Sequence, residues 1–293
     1  MNNTPLRYPG GKSIMATFFR DLFKHNSLKD VVYAEPYAGG AGTAINLLLN
    51  GDVERIMIND ASVGVYSFWS NLVHHGEEMI HLVETTEVNL DEWKQRRKVF
   101  KNAKEPSLEL GFATFFLSRT NRSGILHAGP MGGQDPEKQK IANYKLDCRF
   151  NKADLLSRMK RIIALKDRIS VSNLDAIDFL KSINGDNTFV YLDPPYYVQG
   201  SGLYMNYYKH DNHVELADFI TKSKFNWVLS YDNVPEIRVM YADRDLFQFN
   251  LTYTAQDVKS GSELLTCSDG ISLPEVMEIR RKAKNIPIVP LAL

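Results

Sequence analysis

The run Phe189-Val190-Tyr191-Leu192-Asp193-Pro194-Pro195-Tyr196 joins four apolar residues directly to an acid and two prolines. Its first half reads as a strand. Proline has no N–H to give to a ladder, so the strand stops at Asp193 and the backbone past it is rigid. Four more runs have this form: Val31-Val32-Tyr33-Ala34-Glu35, Arg55-Ile56-Met57-Ile58-Asn59 before Asp60, Ile169-Ser170-Val171-Ser172-Asn173 before Asp175, and Asn226-Trp227-Val228-Leu229 before Ser230. Helical patterns follow them. This alternation predicts a parallel α/β sheet, whose ligands bind beyond the carboxyl ends of the strands.

Outward from these runs, over 100 residues separate the second from the third without a comparable strand, far more than an ordinary crossover. An insertion is therefore expected at about 76–160, dividing one domain made of 1–75 and 161–293. It opens helical, with Leu90-Asp91-Glu92-Trp93 leading into Lys94, Arg96, Arg97, Lys98, Lys101 and Lys104. Ser118 to Gly133 reads as loop, and Ile286-Pro287-Ile288-Val289-Pro290 as a docked or frayed tail.

Composition excludes whole classes. With 293 residues, 44% hydrophobic and 24% charged, the chain is neither disordered nor a small disulfide scaffold. Two cysteines, Cys148 and Cys267, without Cys-x-x-Cys spacing, suit a reducing compartment, and the cytoplasm is expected. No apolar run approaches the roughly 20 residues that span a bilayer, and the polar start Met1-Asn2-Asn3-Thr4-Pro5 is not a signal peptide, so no membrane partner is expected. The 35 Lys+Arg balance 35 Asp+Glu overall, yet Arg119 to Arg168 holds 12 Lys+Arg against 5 Asp+Glu. That local surplus predicts a basic face including Lys160 and Arg161.

Three constellations carry chemistry. Asp193 and the Pro194 carbonyl can accept hydrogen bonds from an exocyclic amine while Tyr196 stacks on its ring. Glu35-Pro36-Tyr37-Ala38-Gly39-Gly40-Ala41-Gly42 is a strand-to-helix turn where a nucleotide-like ligand can approach the backbone, and Asp60, at the next strand end, can accept from ribose hydroxyls. Arg7-Tyr8-Pro9-Gly10-Gly11-Lys12 combines an aromatic face, two glycines and a cation without Walker spacing.

In this order, with Tyr197 following Tyr196, these motifs resemble the Dam-like family of adenine-specific DNA methyltransferases. The likeness spans nearly the whole chain, since Arg149-Phe150-Asn151, Leu229-Ser230-Tyr231-Asp232-Asn233 and Leu251-Thr252-Tyr253-Thr254 are also similar to family segments. It implies a Rossmann-like methyltransferase sheet with an inserted, mainly helical target-recognition domain. It implies methyl transfer from S-adenosyl-L-methionine to the N6 amine of a flipped adenine in double-stranded DNA. Carried over by motif, Tyr8 and Lys12 contact the cofactor, Gly39 underlies its methionine part, Asp60 holds the ribose and Asp175, or its neighbour Asp178, meets the adenine. Asp193 serves catalysis with Pro194 and Tyr196 and lies near the cofactor's amino group. Arg119, Asn121, Arg122 and Ser123 are the candidate DNA contacts. The family's Phe-x-Gly-x-Gly loop reads Tyr37, Gly39, Ala41 here; Ala is small, and binding is still expected.

Rival readings are a methyltransferase of the cytosine amine or of a protein amide, and a silent DNA-binding module on the same scaffold. Asp at the head of the Asp-Pro-Pro-Tyr motif favours adenine over the first two, and intact Lys12, Asp60, Asp193 and Tyr196 oppose the last. A separately encoded restriction endonuclease is a possible partner, and the expected state is a monomer or weak dimer, prokaryotic or phage-encoded. No metal is expected: His210-Asp211-Asn212-His213 reads as a helix start, His74-His75 as divergent imidazoles, and Trp227 as core.

Overall fold

The computed structural model describes residues 3–185, 187–198, 208–254, 258–279 and 284–291. The five expected runs form β1 (Val32–Glu35), β2 (Arg55–Asn59), β3 (Ile169–Ser172), β4 (Thr188–Leu192) and β5 (Asn226–Asp232), all parallel in the order β3-β2-β1-β4-β5. Three further strands extend the sheet antiparallel beyond β5: β6 (Phe247–Thr254), β7 (Val258–Cys267) and β10 (Val289–Pro290). β7 lies between β5 and β6. β8 (Val276–Ile279) and β9 (Lys284–Pro287) form a separate hairpin, so part of the expected tail is strand. The side chains of 251–254, a family-like segment, lie outside the described set.

Side chains alternate between two cores because a strand points successive residues to opposite faces. Tyr33, Phe189, Tyr191 and Val228 face one side, where Phe19 and Phe23 of α1 (Met15–His25) pack edge to face on Tyr33 and Phe189. Ala34, Val190, Leu192, Trp227 and Leu229 face the other, beneath α9 (Ala176–Ser182), α10 (His210–Ile220) and α11 (Pro235–Met240). His210 does open a helix, and Trp227 is core, as its apolar strand required.

Between β2 and β3 the chain is helical: α3 (Val63–His74), α4 (Gly76–Thr85), α5 (Leu90–Asn102), α6 (Leu108–Thr120), α7 (Pro136–Ile141) and α8 (Lys152–Ile163). Helix α6 extends two residues past Ser118, which shortens the expected loop to start at Asn121. A side chain at Gly111 would come within 2.6 Å of the Ser67 carbonyl, so this glycine is what lets α6 cross α3 closely. Phe68, Phe112, Phe115, Phe116 and Phe150 join the same core as Tyr33 and Phe189, so these helices continue the packing of the sheet domain. Helix α8 runs across position 160, where the sequence placed the insertion's end.

Candidate active site

In the strand order β1 sits between β2 and β4, and the chain turns to opposite sides of β1 as it leaves it; such a switch point opens a crevice at the carboxyl ends. A cleft of about 320 Å³ lies there, lined by Tyr8, Lys12, Gly39, Asp60, Asp175 and Asp193. Tyr8 and Asp193, 185 positions apart, thus meet in one place because five strands end together.

After β1 the backbone turns sharply at Gly39 (φ +46°). A Cβ at Gly39 would stand 2.7 Å from Tyr8 Cδ1, so the absent side chain is what seats the tyrosine. Trp69 Nε1 of α3 donates to the Gly39 carbonyl at 2.9 Å. Asp60 accepts from Gly39 N at 2.8 Å on Oδ2 and from Ser62 N at 2.9 Å on Oδ1. Burial raises Asp60 to about 6, against those two bonds. Glu35 accepts from Ala44 N at 3.1 Å and from the Tyr33 hydroxyl at 3.0 Å, and burial raises it to about 8. Asn59, fully enclosed, ties the strand ends together: it donates to the Pro36 and Leu174 carbonyls and accepts from Leu174 N and Ser172 Oγ.

Across the cleft, Asp193 follows β4. Lys12 Nζ donates to its Oδ1 at 2.8 Å, and Ser230 Oγ donates to the same oxygen at 3.1 Å. Because Ser230 gives its single proton to Asp193, it accepts from the Tyr191 hydroxyl, 2.7 Å away. Asp232 secures the chain beyond the prolines by accepting from Tyr197 N at 3.0 Å and Val198 N at 3.1 Å. Tyr196 donates to Glu263 at 2.6 Å and accepts from Lys12 at 3.0 Å. Its ring lies 5.2 Å beneath the Lys12 ammonium. Pro195, Tyr37 and Tyr208 also line the cleft.

The four candidate DNA residues separate. Asn121 is buried and its amide is fully engaged: Trp93 Nε1 donates to it at 2.7 Å, and it donates to the Ile125 and Leu126 carbonyls. This corrects its place among the groove readers, because a side chain enclosed and satisfied inside the protein cannot meet a base. Arg119 is largely spent as well, donating to Pro5 and Thr4 carbonyls. Arg122 is exposed, Ser123 half-buried in a left-handed conformation (φ +55°), and their loop continues into Ile125, Leu126 and His127 at the cleft rim. Asp175 caps α9 by accepting from Ile177 N at 2.8 Å while lining the cleft, which Asp178 does not.

Residues 8–256 match the family model described as D12 class N6 adenine-specific DNA methyltransferase. The chain belongs to this D12 methyltransferase family. A similar protein is the Type II methyltransferase M.CviBI of Paramecium bursaria Chlorella virus NC1A, 21% identical over 241 residues, which cover 80% of this chain and 85% of that one. Among solved structures, protein LPL1258 of Legionella pneumophila str. Philadelphia 1 is 12% identical with a TM-score of 0.32, covering 88% of this chain and 86% of that one.

A D12 methyltransferase acts on DNA and draws its methyl group from S-adenosylmethionine, and the donor set in the cleft fits that molecule. Each oxygen of Asp60 holds one N–H and keeps a lone pair for a ribose hydroxyl. Gly39, without a side chain, seats the Tyr8 ring that lines the cleft beside it. Sequence reasoning missed Ser230, Asp232, Asn59 and Glu263. Only the first two carried a signal, in the Leu229–Asn233 segment that resembles the family; Glu263 sits in a strand with no motif.

Proposed function

We propose that this D12 methyltransferase methylates the N6 amine of an adenine flipped out of duplex DNA, with S-adenosylmethionine held by Tyr8, Lys12, Gly39, Asp60 and Asp175. The observation that carries the reading is Asp193: a carboxylate fixed at the switch point by Lys12 and Ser230, both on Oδ1, which leaves Oδ2 for a substrate amine. When bound, the cofactor supplies an electrophilic methyl group whose leaving group is neutral. The chain's residues do the rest. Adenine's amine is a poor nucleophile because its lone pair is shared with the ring. Asp193 Oδ2 and the Pro194 carbonyl accept its two protons, favour a tetrahedral nitrogen and stabilise the positive charge growing on it. Asp193 then takes the surplus proton. The half-buried Tyr196 ring, clamped at its hydroxyl, is prepared to stack on the base and offset part of the roughly few kcal/mol that flipping costs.

The helices between β2 and β3 are proposed to read the DNA, with Arg122 and Ser123 beside the cleft. Farther out, Gln139 clasps the chain by donating to the Met131 and Gly133 carbonyls and accepting from Leu146 N. This supports exposed Ile141 (83%) and Tyr144 (62%) between Lys138, Lys140 and Lys145, a combination suited to phosphates and bases. The test is methyl-labelled S-adenosylmethionine with unmethylated DNA, followed by nucleoside analysis. Label in N6-methyl-2′-deoxyadenosine is expected; label in a cytosine, or none, overturns the reading. Asp193→Ala should abolish transfer while circular dichroism stays that of the folded protein.

A further inference from the structure

Glu263 lies on β7, paired in register with Asp232 of β5, and is only 2% exposed. No chain-order motif contains it, and it does not line the cleft. Its carboxylate nevertheless meets two members of the catalytic corner: Oε1 accepts from the Tyr196 hydroxyl at 2.6 Å, and Oε2 lies 3.7 Å from Lys12 Nζ. Lys12 Nζ also holds Asp193 at 2.8 Å, in an ion pair that is buried at the lysine and partly open at the aspartate, with side-chain exposures of 4% and 21%.

The arrangement poses an electrostatic problem. A cation bonded to Asp193 cancels the charge that the substrate amine needs as it becomes positive. An isolated Lys12–Asp193 pair is neutral, and a neutral pair does little for a developing cation in a low-dielectric site. A second carboxylate on the same ammonium changes the sum of the three groups to one negative charge. Glu35, the other buried acid beside Asp193, is raised to about 8 by burial and so adds little charge at neutral pH.

We propose that Glu263 is a positioning residue for methyl transfer: it shares the Lys12 ammonium and orients the Tyr196 hydroxyl, so that Asp193 keeps its negative charge for the substrate amine. This rests on the Asp193 reading above, and Asp193→Ala tests that reading separately. Glu263 touches neither substrate nor cofactor. Its influence falls on charge that appears only as the reaction proceeds, so its loss should lower the rate of transfer more than ligand affinity.

The experiment compares Glu263→Gln with the parent in single-turnover methylation, with cofactor affinity measured by calorimetry and base extrusion by 2-aminopurine fluorescence at the target position. The expected rate loss is about 10–100-fold, below the ~10²–10³ typical of a donor in direct contact with the reacting centre. Cofactor affinity and fluorescence should change by less than about threefold. Glu263→Asp, which retains the charge, should recover part of the rate and covers the case in which the Gln variant folds poorly. A cycle with Lys12→Met completes the test: without the ammonium, Glu263 has no cation to share with Asp193, so Glu263→Gln should add almost no further loss. A Gln variant within about twofold of the parent overturns the proposal. So do equal losses in the Asp and Gln variants, or a loss undiminished in the Lys12→Met background.

Discussion

Ala41 occupies the left-handed region (φ 43°, ψ 34°) at the entry to α2 (Gly42–Asn50). The position where the family pattern has glycine therefore still demands a glycine-like backbone, and alanine bears it at a cost of roughly 1–2 kcal/mol. Glycine would relieve that strain but add about 0.4–1 kcal/mol of unfolded-chain entropy. Ala41→Gly should thus raise unfolding free energy in urea by about 0.5 kcal/mol; a net loss would contradict the strain. Glu35 yields a pH prediction. Its folded value, about 8, lies above its ordinary 4.5 because burial disfavours the charged form. The folded chain then holds a proton the unfolded chain releases, so this contribution is full below about 4.5 and lost as pH rises through about 8. Between about pH 5 and about pH 8.5 the parent should lose on the order of a few kcal/mol more stability than Glu35→Gln, which cannot ionise. Parallel pH dependence of the two urea midpoints would refute it. At this scale Lys12, Asp60 and Asp193 were legible because their residue types recur at strand ends or in glycine-rich turns. Glu263 and Asn59 were not, since their roles arise from partners distant in sequence.

Elements explain how Arg119, read from the sequence as a candidate DNA contact, is engaged within the protein. The N-terminal segment runs between the glycine turn and helices α6 and α8. Thr4 Oγ1 donates to the Gly40 carbonyl and Asn3 donates to Asn46. From the other side, Arg119 grips the Pro5 and Thr4 carbonyls, Arg158 the Thr4 carbonyl, and Arg161 the Asn3 side chain. This strap carries Tyr8 to its seat on Gly39. Arg119→Ala takes the donor from the Pro5 carbonyl and leaves the Thr4 carbonyl to Arg158 alone, and should cost about 1–3 kcal/mol by urea unfolding, with cofactor affinity reduced severalfold. A variant with parental stability and weakened DNA binding alone would restore Arg119 to the groove. The parallel strands were readable because each ends its apolar run in a breaker or polar residue. The β6–β7 hairpin was not: Asn250, Thr252, Lys259, Ser260 and Ser262 break any apolar run, and the strands are defined by pairing with each other and with β5.

For the molecule as a whole, zero net charge conceals a division of labour. Of the basic residues between Arg119 and Arg168, Arg168 serves the Val53 and Glu54 carbonyls and Lys160 faces Glu84, besides the three arginines spent on the strap. Charge reversal at Arg161 would therefore disturb Asn3 as well as any DNA. Exposed Arg122, Lys138, Lys145 and Arg149 make no ion pair with a described residue, so their charge remains available to phosphates. Each phosphate contact contributes about 0.9 to the slope of log affinity against log salt. Lys138→Gln with Lys145→Gln should flatten that slope by about 1–2 and weaken binding similarly across DNA sequences, because phosphates carry no base identity. Lys29 is exposed just ahead of β1, at the end of the sheet opposite the cleft, and Lys29→Gln should leave the slope unchanged. A slope equally reduced by the Lys29 variant would mean that DNA is attracted by the surface at large, whereas an unchanged slope in the double variant would move the contact away from the segment that follows α6.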